Sequence, residues 1–529
     1  MSETVTGEKG MVTAPHRVAS AAGAEVLAAG GNAIEAMIAM AATIAVVYPH
    51  MNGIGGDAFF LIGEPGRPPR VIDACGAAGS RATMARYAAK GYDTTPTRGV
   101  DAAITVPGAV SGWKLAAEAA KALGGRLPTG ELLADAIRLA REGITVTRSH
   151  ARMLATHLVD LRAVPGFAEG FLVDGKAPEA GARFVQARLA DTLDQLARAG
   201  LDDFYRGDIA AELSIDLEEA QAPVTRADFA AHEARLRDPL TLRLDDATLF
   251  NTPPPTQGLA SLIILGLFDR LKVKRGEGFD HLHGLIEAAK RAATVRDGHI
   301  TDPAFGGPVA QFLEPSWLDA EAAAIDRKRA SVRLLPADRG DTIWMGAIDA
   351  GGLAVSFIQS LFWEFGSGFV SGRTGVLWQN RGTSFSLDPK SVNPLTPGRK
   401  PFHTLNPPLA RFDDGRTMVY GSMGGGAQPE FQAAVFTRIA RFGMEPGEAI
   451  GAPRWRAGRT WGEGASGVTI ENRVDPDVVA ALEGAGHNVL VLGEGYSDSM
   501  GHAGAIIRAA TGRVSGASDS RSDGAAAGG

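Results

Sequence analysis

Residues 30–49, GGNAIEAMIAMAATIAVVYP, leave this chain few ways to fold. Asn32 stands where a helix N-cap is expected, Glu35 three residues on completes a capping-box pattern, and Pro49 supplies the stop. The helix between them is apolar on nearly every side, so it has no face to offer to water and must be buried, with a sheet on one side and another layer beyond. It is also shorter than the ~20 residues that cross a bilayer, and it carries Glu35, which excludes a membrane span. The next stretch, MNGIGGDAFFLI (51–62), reads as a glycine turn feeding a strand. Its position 58 is Ala where GxGxxG needs Gly, so a dinucleotide site is not expected.

Composition narrows the function. The 529 residues are 45% hydrophobic and 21% charged, as in a water-soluble globular protein, and 67 glycines announce many tight turns. The net charge is −7 and the longest basic cluster is DRKR (326–329), which argues against nucleic acid and acidic membranes as partners. Cys75 is the one cysteine, so no internal disulfide and no multi-cysteine metal site can form, and a core position suits it. The opening MSETVTGEKGMVTAPH has no apolar signal region, and a cytoplasmic location is the expectation.

Residues 113–330 read mainly as amphipathic helices, for instance at 130–143, 186–200 and 279–298. His281 and His283, at i and i+2 of the last of these, face different sides and suit packing or surface roles better than a metal. NTPPPTQG (251–258) reads as a rigid loop and PADRGD (336–341) as a run of turns. After 341 the pattern changes to short strands with glycine turns, GVLWQN (375–380) and TMVYGSMGGG (417–426) among them. Helices are expected near 429–443 and 475–485, strands near 488–492 and 503–508, and a mobile tail at SDGAAAGG (522–529). No repeat or linker separates the two halves, which suggests that they share one sheet system.

The segment RGDTIWMGAIDAGGLAVSFIQSL (339–361) carries the candidate chemistry. A turn at Asp349-Ala350-Gly351-Gly352 folds it into a hairpin that sets Thr342 across from residue 359, 360 or 361, next to Ser360. From spacing alone, Thr342 reads first as a strand-starting residue with its hydroxyl satisfied locally. Other nucleophile patterns are missing, since neither GxSxG nor HExxH occurs and Cys75 has no partner motif. A threonine can nevertheless carry its own base when it begins a chain, because an α-amino group with a pKa of about 7.7–8.0 is partly neutral near pH 7.

The stretches at 11–62, GDTIWMGAID (340–349), GSMGGG (421–426), APRW (452–455) and SDSRSDGAAAG (518–528) together resemble the gamma-glutamyltransferase family over nearly the whole chain. The resemblance implies an α+β fold of the N-terminal-nucleophile hydrolase type, a four-layer αββα sandwich. It implies a precursor that cuts itself between Asp341 and Thr342 into a large fragment, 1–341, and a small one, 342–529, with further dimerisation left open. Thr342 would be the nucleophile, Ser360 the hydroxyl beside it, and Gly424 and Gly425 the oxyanion hole. In GAAGSRATM (76–84), Arg81 would hold a substrate carboxylate.

The sequence departs from the family where a substrate ammonium would be held, with Phe362 and Ser384 in place of an Asn and an Asp. A serine pair becomes His403-Thr404, and Arg381 adds a second candidate cation. The expected substrate is therefore a small amide bearing a carboxylate and no α-amine, such as oxamate, hydrolysed with release of ammonia. The alternatives are gamma-glutamyl transfer, glutathione hydrolysis, and glutaryl or cephalosporin acylase activity. The chemistry requires no metal and no organic cofactor.

Overall fold

The computed structural model describes residues 2–332, 340–459 and 466–529, so most of the expected turn run at 336–341 lies outside the described residues. Two seven-stranded antiparallel sheets form the centre. One orders its strands Ala525–Gly528, Gly10–Ala14, Asp341–Asp349, Ala354–Phe362, Asp57–Gly63, Arg70–Ala74 and Arg235–Arg237. The other orders them Val5–Gly7, Val514–Ser518, Ala503–Arg508, Thr417–Ser422, Leu409–Phe412, Ala247–Asn251 and Leu240–Arg243. Each sheet takes strands from both sides of residue 342, so the two halves share their sheets as expected.

Side-chain alternation along the strands builds the four layers. In the first sheet Trp344, Ile348, Ile358, Phe59 and Leu61 point toward the second sheet and pack with its Leu409, Val419 and Ile506. The alternate residues Ile343, Met345, Phe357, Phe60 and Ile72 point the other way, into a cluster with the helix Ala33–Val47. The outer face of the second sheet, with Leu249, Met418 and Ala505, is covered by the helices Gly258–Leu271, Phe279–His299 and Gln428–Ala440. The order is helices, sheet, sheet, helices.

The helix Ala33–Val47 is buried along its whole length. Its cap forms as read, with Asn32 Oδ1 accepting from the N–H groups of Ile34 and Glu35 while Glu35 Oε2 accepts from Asn32 N. Glu35 Oε1 also accepts from Leu127 N at 2.7 Å, which satisfies the carboxylate in the interior.

Two expectations need correction. The C-terminal tail is not mobile, because Ala525–Gly528 forms the edge strand beside Gly10–Ala14 and the Gly529 carbonyl accepts from the N–H groups of Glu8 and Lys9. GVLWQN forms no strand. Its Trp378, Gln379 and Asn380 N–H groups go to Phe369, Gly55 and Leu361 in turn, three different segments, so the piece is a buried connector.

Candidate active site

The hairpin closes around Asp349–Gly352 as read, with Ile348 opposite Ala354 and Ile343 opposite Gln359. Between Ile343 and Asp341 the register slips, and Asp341 pairs with Phe362. Two residues, Ser360 and Leu361, thus oppose Thr342, a bulge that turns its side chain toward Ser360. Thr342 Oγ1 donates to Ser360 Oγ at 3.1 Å, and both residues are buried. Ser360 Oγ also accepts from Phe362 N at 2.8 Å, which fixes the hydroxyl that Thr342 addresses.

The glycine loop after strand Thr417–Ser422 lies against Gly340. Gly424 and Gly425 adopt φ of +133° and +53°, conformations that a side chain disfavours. A Cβ placed on Gly340 would sit 3.3 Å from Gly425 Cα and 2.9 Å from the Phe362 ring. Gln257 Nε2 donates to the Gly425 carbonyl at 2.9 Å and Arg296 Nη1 to the Gly426 carbonyl at 3.2 Å, tying the loop to the helical layer behind it. A cavity of about 290 Å³ opens at Gly340 and Gly424, with Arg152, His157, Glu364 and Arg456 on its walls.

Three of the positions predicted to differ from the family converge on one cation. Phe362 has φ +82°, and Asn380 holds it there from both sides, donating its N–H to the Leu361 carbonyl and accepting at Oδ1 from Trp363 N. The fully buried Arg381 guanidinium lies 3.6 Å above the centre of the Phe362 ring. Its Nη2 donates to Thr404 Oγ1 at 3.0 Å, and Ser384 Oγ is 3.5 Å from Nη1. Phe362, Arg381, Ser384 and Thr404 therefore form one group around the guanidinium.

His403 is buried beside this group. Its Nε2 lies 3.0 Å from Asp57 Oδ2, and Phe59 meets the imidazole edge-on. Asp57 pairs directly with Ser360 across the strands, and its Oδ1 accepts from the N–H groups of Gly76 and Gly108. Burial raises the Asp57 carboxyl to about 7, against those N–H bonds and Arg381. Burial, then Arg381 and Lys400, push the His403 imidazole well below its ordinary value, so it is neutral.

Arg81 does not join this group. Residues 79–81 pack against 223–228, and the half-exposed Arg81 fork is filled by Glu218, whose carboxylate is 2.7 and 3.3 Å from Nη1 and Nη2. The sequence reading missed Asp57, Gln257 and Asn380. Asp57 was visible as the residue ending the glycine turn GIGGD, where a carboxylate inside an apolar strand is itself a signal.

Cys75 is buried, as expected, and its Sγ donates to Asp73 Oδ1. His281 packs inside, its Nε2 2.9 Å from Thr437 Oγ1. Among the described residues, His283, Glu287 and His487 bring potential metal-ligand atoms together. The two imidazoles hydrogen-bond each other at 2.8 Å, His283 Nε2 meets the Asp326 carbonyl, and the Lys290 ammonium lies 2.8 Å from Glu287 Oε1. That network is closed, and its own cation neutralises the carboxylate.

The sequence profile of gamma-glutamyltranspeptidase matches residues 19–529. The chain belongs to this family. It is 52% identical to the oxamate amidohydrolase proenzyme of Klebsiella pneumoniae subsp. pneumoniae, over 98% of each chain. It is 39% identical to the glutathione hydrolase-like YwrD proenzyme of Bacillus subtilis, over the full length of both. Among solved structures, cephalosporin acylase from Bacillus halodurans superposes with a TM-score of 0.90 at 31% identity, covering 100% of this chain and 97% of that one. As a gamma-glutamyltranspeptidase family member with the αββα layers described above, the protein is an N-terminal-nucleophile hydrolase. No described helix is long and apolar enough to cross a membrane.

Proposed function

We propose that this protein is a self-processing amidohydrolase that acts on a small amide carrying a carboxylate and no α-amine, with oxamate as the best fit. The observation that carries the reading is the buried Arg381 guanidinium, held by Thr404 and by Phe362 and Ser384, the two positions where the family resemblance implies an ammonium-holding pair. A carboxylate entering there gains a planar two-pronged partner. An α-ammonium meets a like charge.

Processing breaks the Asp341–Thr342 bond and turns the Thr342 nitrogen from an amide into an amine. Thr342 Oγ1, already oriented by Ser360, attacks the amide carbon while that amine takes the hydroxyl proton. The Gly424 and Gly425 N–H groups hold the oxyanion. The C–N bond breaks, the amine returns its proton to the leaving nitrogen, and ammonia departs. Water, deprotonated by the same amine, then cleaves the ester. Oxamate and water become oxalate and ammonium, and Thr342 is restored. The large fragment is residues 1–341 and the small one 342–529.

The oxamate amidohydrolase similar to this chain supports the reading, and so do the relatives named proenzymes. The test has two parts. Electrophoresis of the purified protein is expected to give two fragments, the smaller beginning Thr-Ile-Trp-Met, while Thr342→Ala stays whole. Ammonia release from oxamate is expected to exceed release of p-nitroaniline from gamma-glutamyl-p-nitroanilide. The reverse preference would assign the protein to gamma-glutamyl transfer or glutathione hydrolysis instead.

A further inference from the structure

We infer that Asp57 and His403 form a one-proton relay that matches the site to an anionic substrate, taking up a proton as the anion binds beside Arg381. The inference rests on the amidohydrolase reading above and adds a pair of positioning residues to it. Its basis is geometric. Asp57 Oδ1 is occupied by two backbone donors, Gly76 N at 3.1 Å and Gly108 N at 3.0 Å. Only Oδ2 can exchange a proton with His403 Nε2, 3.0 Å away. The other ring nitrogen of His403, Nδ1, is buried and has no hydrogen-bond partner among the described residues.

The imidazole is neutral, so it carries one proton, and the state of Asp57 decides where. With Asp57 ionised, the proton sits on Nε2 facing the carboxylate, and Nδ1 is a bare lone pair. With Asp57 protonated, Oδ2 donates to Nε2, and the imidazole proton moves to Nδ1. One added proton thus removes a negative charge from the site and turns Nδ1 from an acceptor into a donor. The loss of that negative charge favours an incoming carboxylate. The raised Asp57 carboxyl, at about 7, leaves the relay within reach of a bound anion at neutral pH.

The charged and titratable groups around the pair come from several segments. Arg381 acts on both residues, and Lys400, on the segment of His403 itself, acts on the imidazole. Asp73 takes up the Lys400 ammonium at 2.9 Å, and Cys75 and Tyr205 feel the Asp57 charge as protonated groups. Gln379, on the connector 375–380, favours the ionised carboxyl, and its Nε2 donates to Thr105 Oγ1 and the Val106 carbonyl. Processing adds the Thr342 amine, on the far side of Ser360. That amine also titrates near neutrality, and the Asp57 variant below separates the two.

The experiment uses mature, two-fragment protein and oxalate, the product anion, as the binding probe. Calorimetry in phosphate and in Tris buffer gives the protons exchanged per oxalate bound. About one proton taken up near pH 7.5 is expected, falling toward zero below about pH 6. With oxamate as substrate, KM is expected to climb toward tenfold per pH unit above about 7 while kcat does not fall. Asp57→Asn holds the Nδ1–H form of His403, since its amide donates to Nε2 while its oxygen accepts from Gly76 and Gly108. It is expected to lose both the proton uptake and the slope in KM.

Oxalate binding with the same heat in both buffers would overturn the relay in the unaltered protein, whatever the variant does. Uptake retained in Asp57→Asn would overturn it too, giving the proton to the Thr342 amine. Proton-coupled oxalate binding without oxamate turnover would sink the proposed substrate and leave the relay standing. Oxamate turnover with a KM flat in pH would do the opposite. No oxalate binding at any pH would overturn both.

Discussion

Replacing Arg381 by Gln removes the charge and keeps a hydrogen-bonding side chain, so it isolates what the buried guanidinium does. A substrate carboxylate about 4 Å from it, at an effective dielectric of about 20, gains about 4 kcal/mol, comparable with the 3–5 kcal/mol lost when one partner of a buried pair is removed. At about 1.4 kcal/mol per factor of ten, kcat/KM for oxamate is expected to fall by about 10²- to 10³-fold. The carboxylate lies next to the reacting carbonyl and is bound before and during the reaction, so the loss should appear mainly in KM. The same substitution removes the repulsion of an α-ammonium, and the preference for oxamate over gamma-glutamyl-p-nitroanilide should shrink by more than the oxamate loss alone. The assay is ammonia release over a range of oxamate concentrations, on protein shown by gel to have processed. Arg81→Gln is the control, since its half-exposed ion pair with Glu218 predicts less than a threefold change. An Arg381→Gln enzyme within about threefold of the parent, or a larger loss in Arg81→Gln, would refute the argument.

Thr342→Ser keeps a hydroxyl and is expected to process and turn over more slowly, whereas Thr342→Ala gives one uncut band by electrophoresis. In the parent, kcat should rise with pH through the range of about 7–8 where an α-amine loses its proton, and stopped-time ammonia assays would reveal it. Gly424→Ala places a Cβ 2.5 Å from the Phe431 ring at φ +133°, so processing and turnover should both fall by at least about tenfold, as read by gel and by ammonia release. Glu430 is buried, and burial raises its carboxyl from 4.5 to about 8 against the Ala457 N–H and the cations Arg296 and Arg456. The folded state holds this proton where the unfolded chain has released it, so the stability it contributes is whole below about 4.5 and is lost as pH rises through about 8. Glu430→Gln should therefore flatten the fall in Tm between about pH 5 and pH 8.5 in scanning calorimetry, with Asp57 supplying a remaining slope of the same sign.

What the sequence disclosed was what local geometry controls. The Thr342–Ser360 contact spans 18 residues and is set by a turn of four, so counting outward from Asp349–Gly352 came within one residue of a register that a bulge then adjusts. The capped helix at 33–47 was readable because its signals, Asn32, Glu35 and an unbroken apolar surface, are contiguous. GVLWQN and the alanine tail misled for one reason in opposite directions. Strand propensity describes a residue's fit to a pleated neighbour; the tail has a full one, since Gly10–Ala14 offers it an open edge and Ser20 Oγ reaches the Ala525 carbonyl, whereas GVLWQN makes a single bridge, Leu377 to Val370.

The pocket was less legible because its members meet through the fold. Asp57 and His403 stand 346 residues apart and are joined only when the segment holding Lys400 and His403 returns beside the strand that begins at Asp57. Resemblance named Phe362, Ser384, His403 and Thr404 as the positions that differ, but it could not say that three of them close around the guanidinium of Arg381. A column of substitutions reads as lost contacts to an ammonium. In three dimensions the same positions surround the guanidinium of Arg381, and on the proposed reading that cation changes the sign of the preferred ligand. The roles proposed for Thr342, Ser360 and the Gly424–Gly425 loop do not depend on that sign. On the proposed reading, substrate preference rests on the short segments 379–384 and 400–406, and substitutions there should move substrate choice while leaving self-cleavage intact.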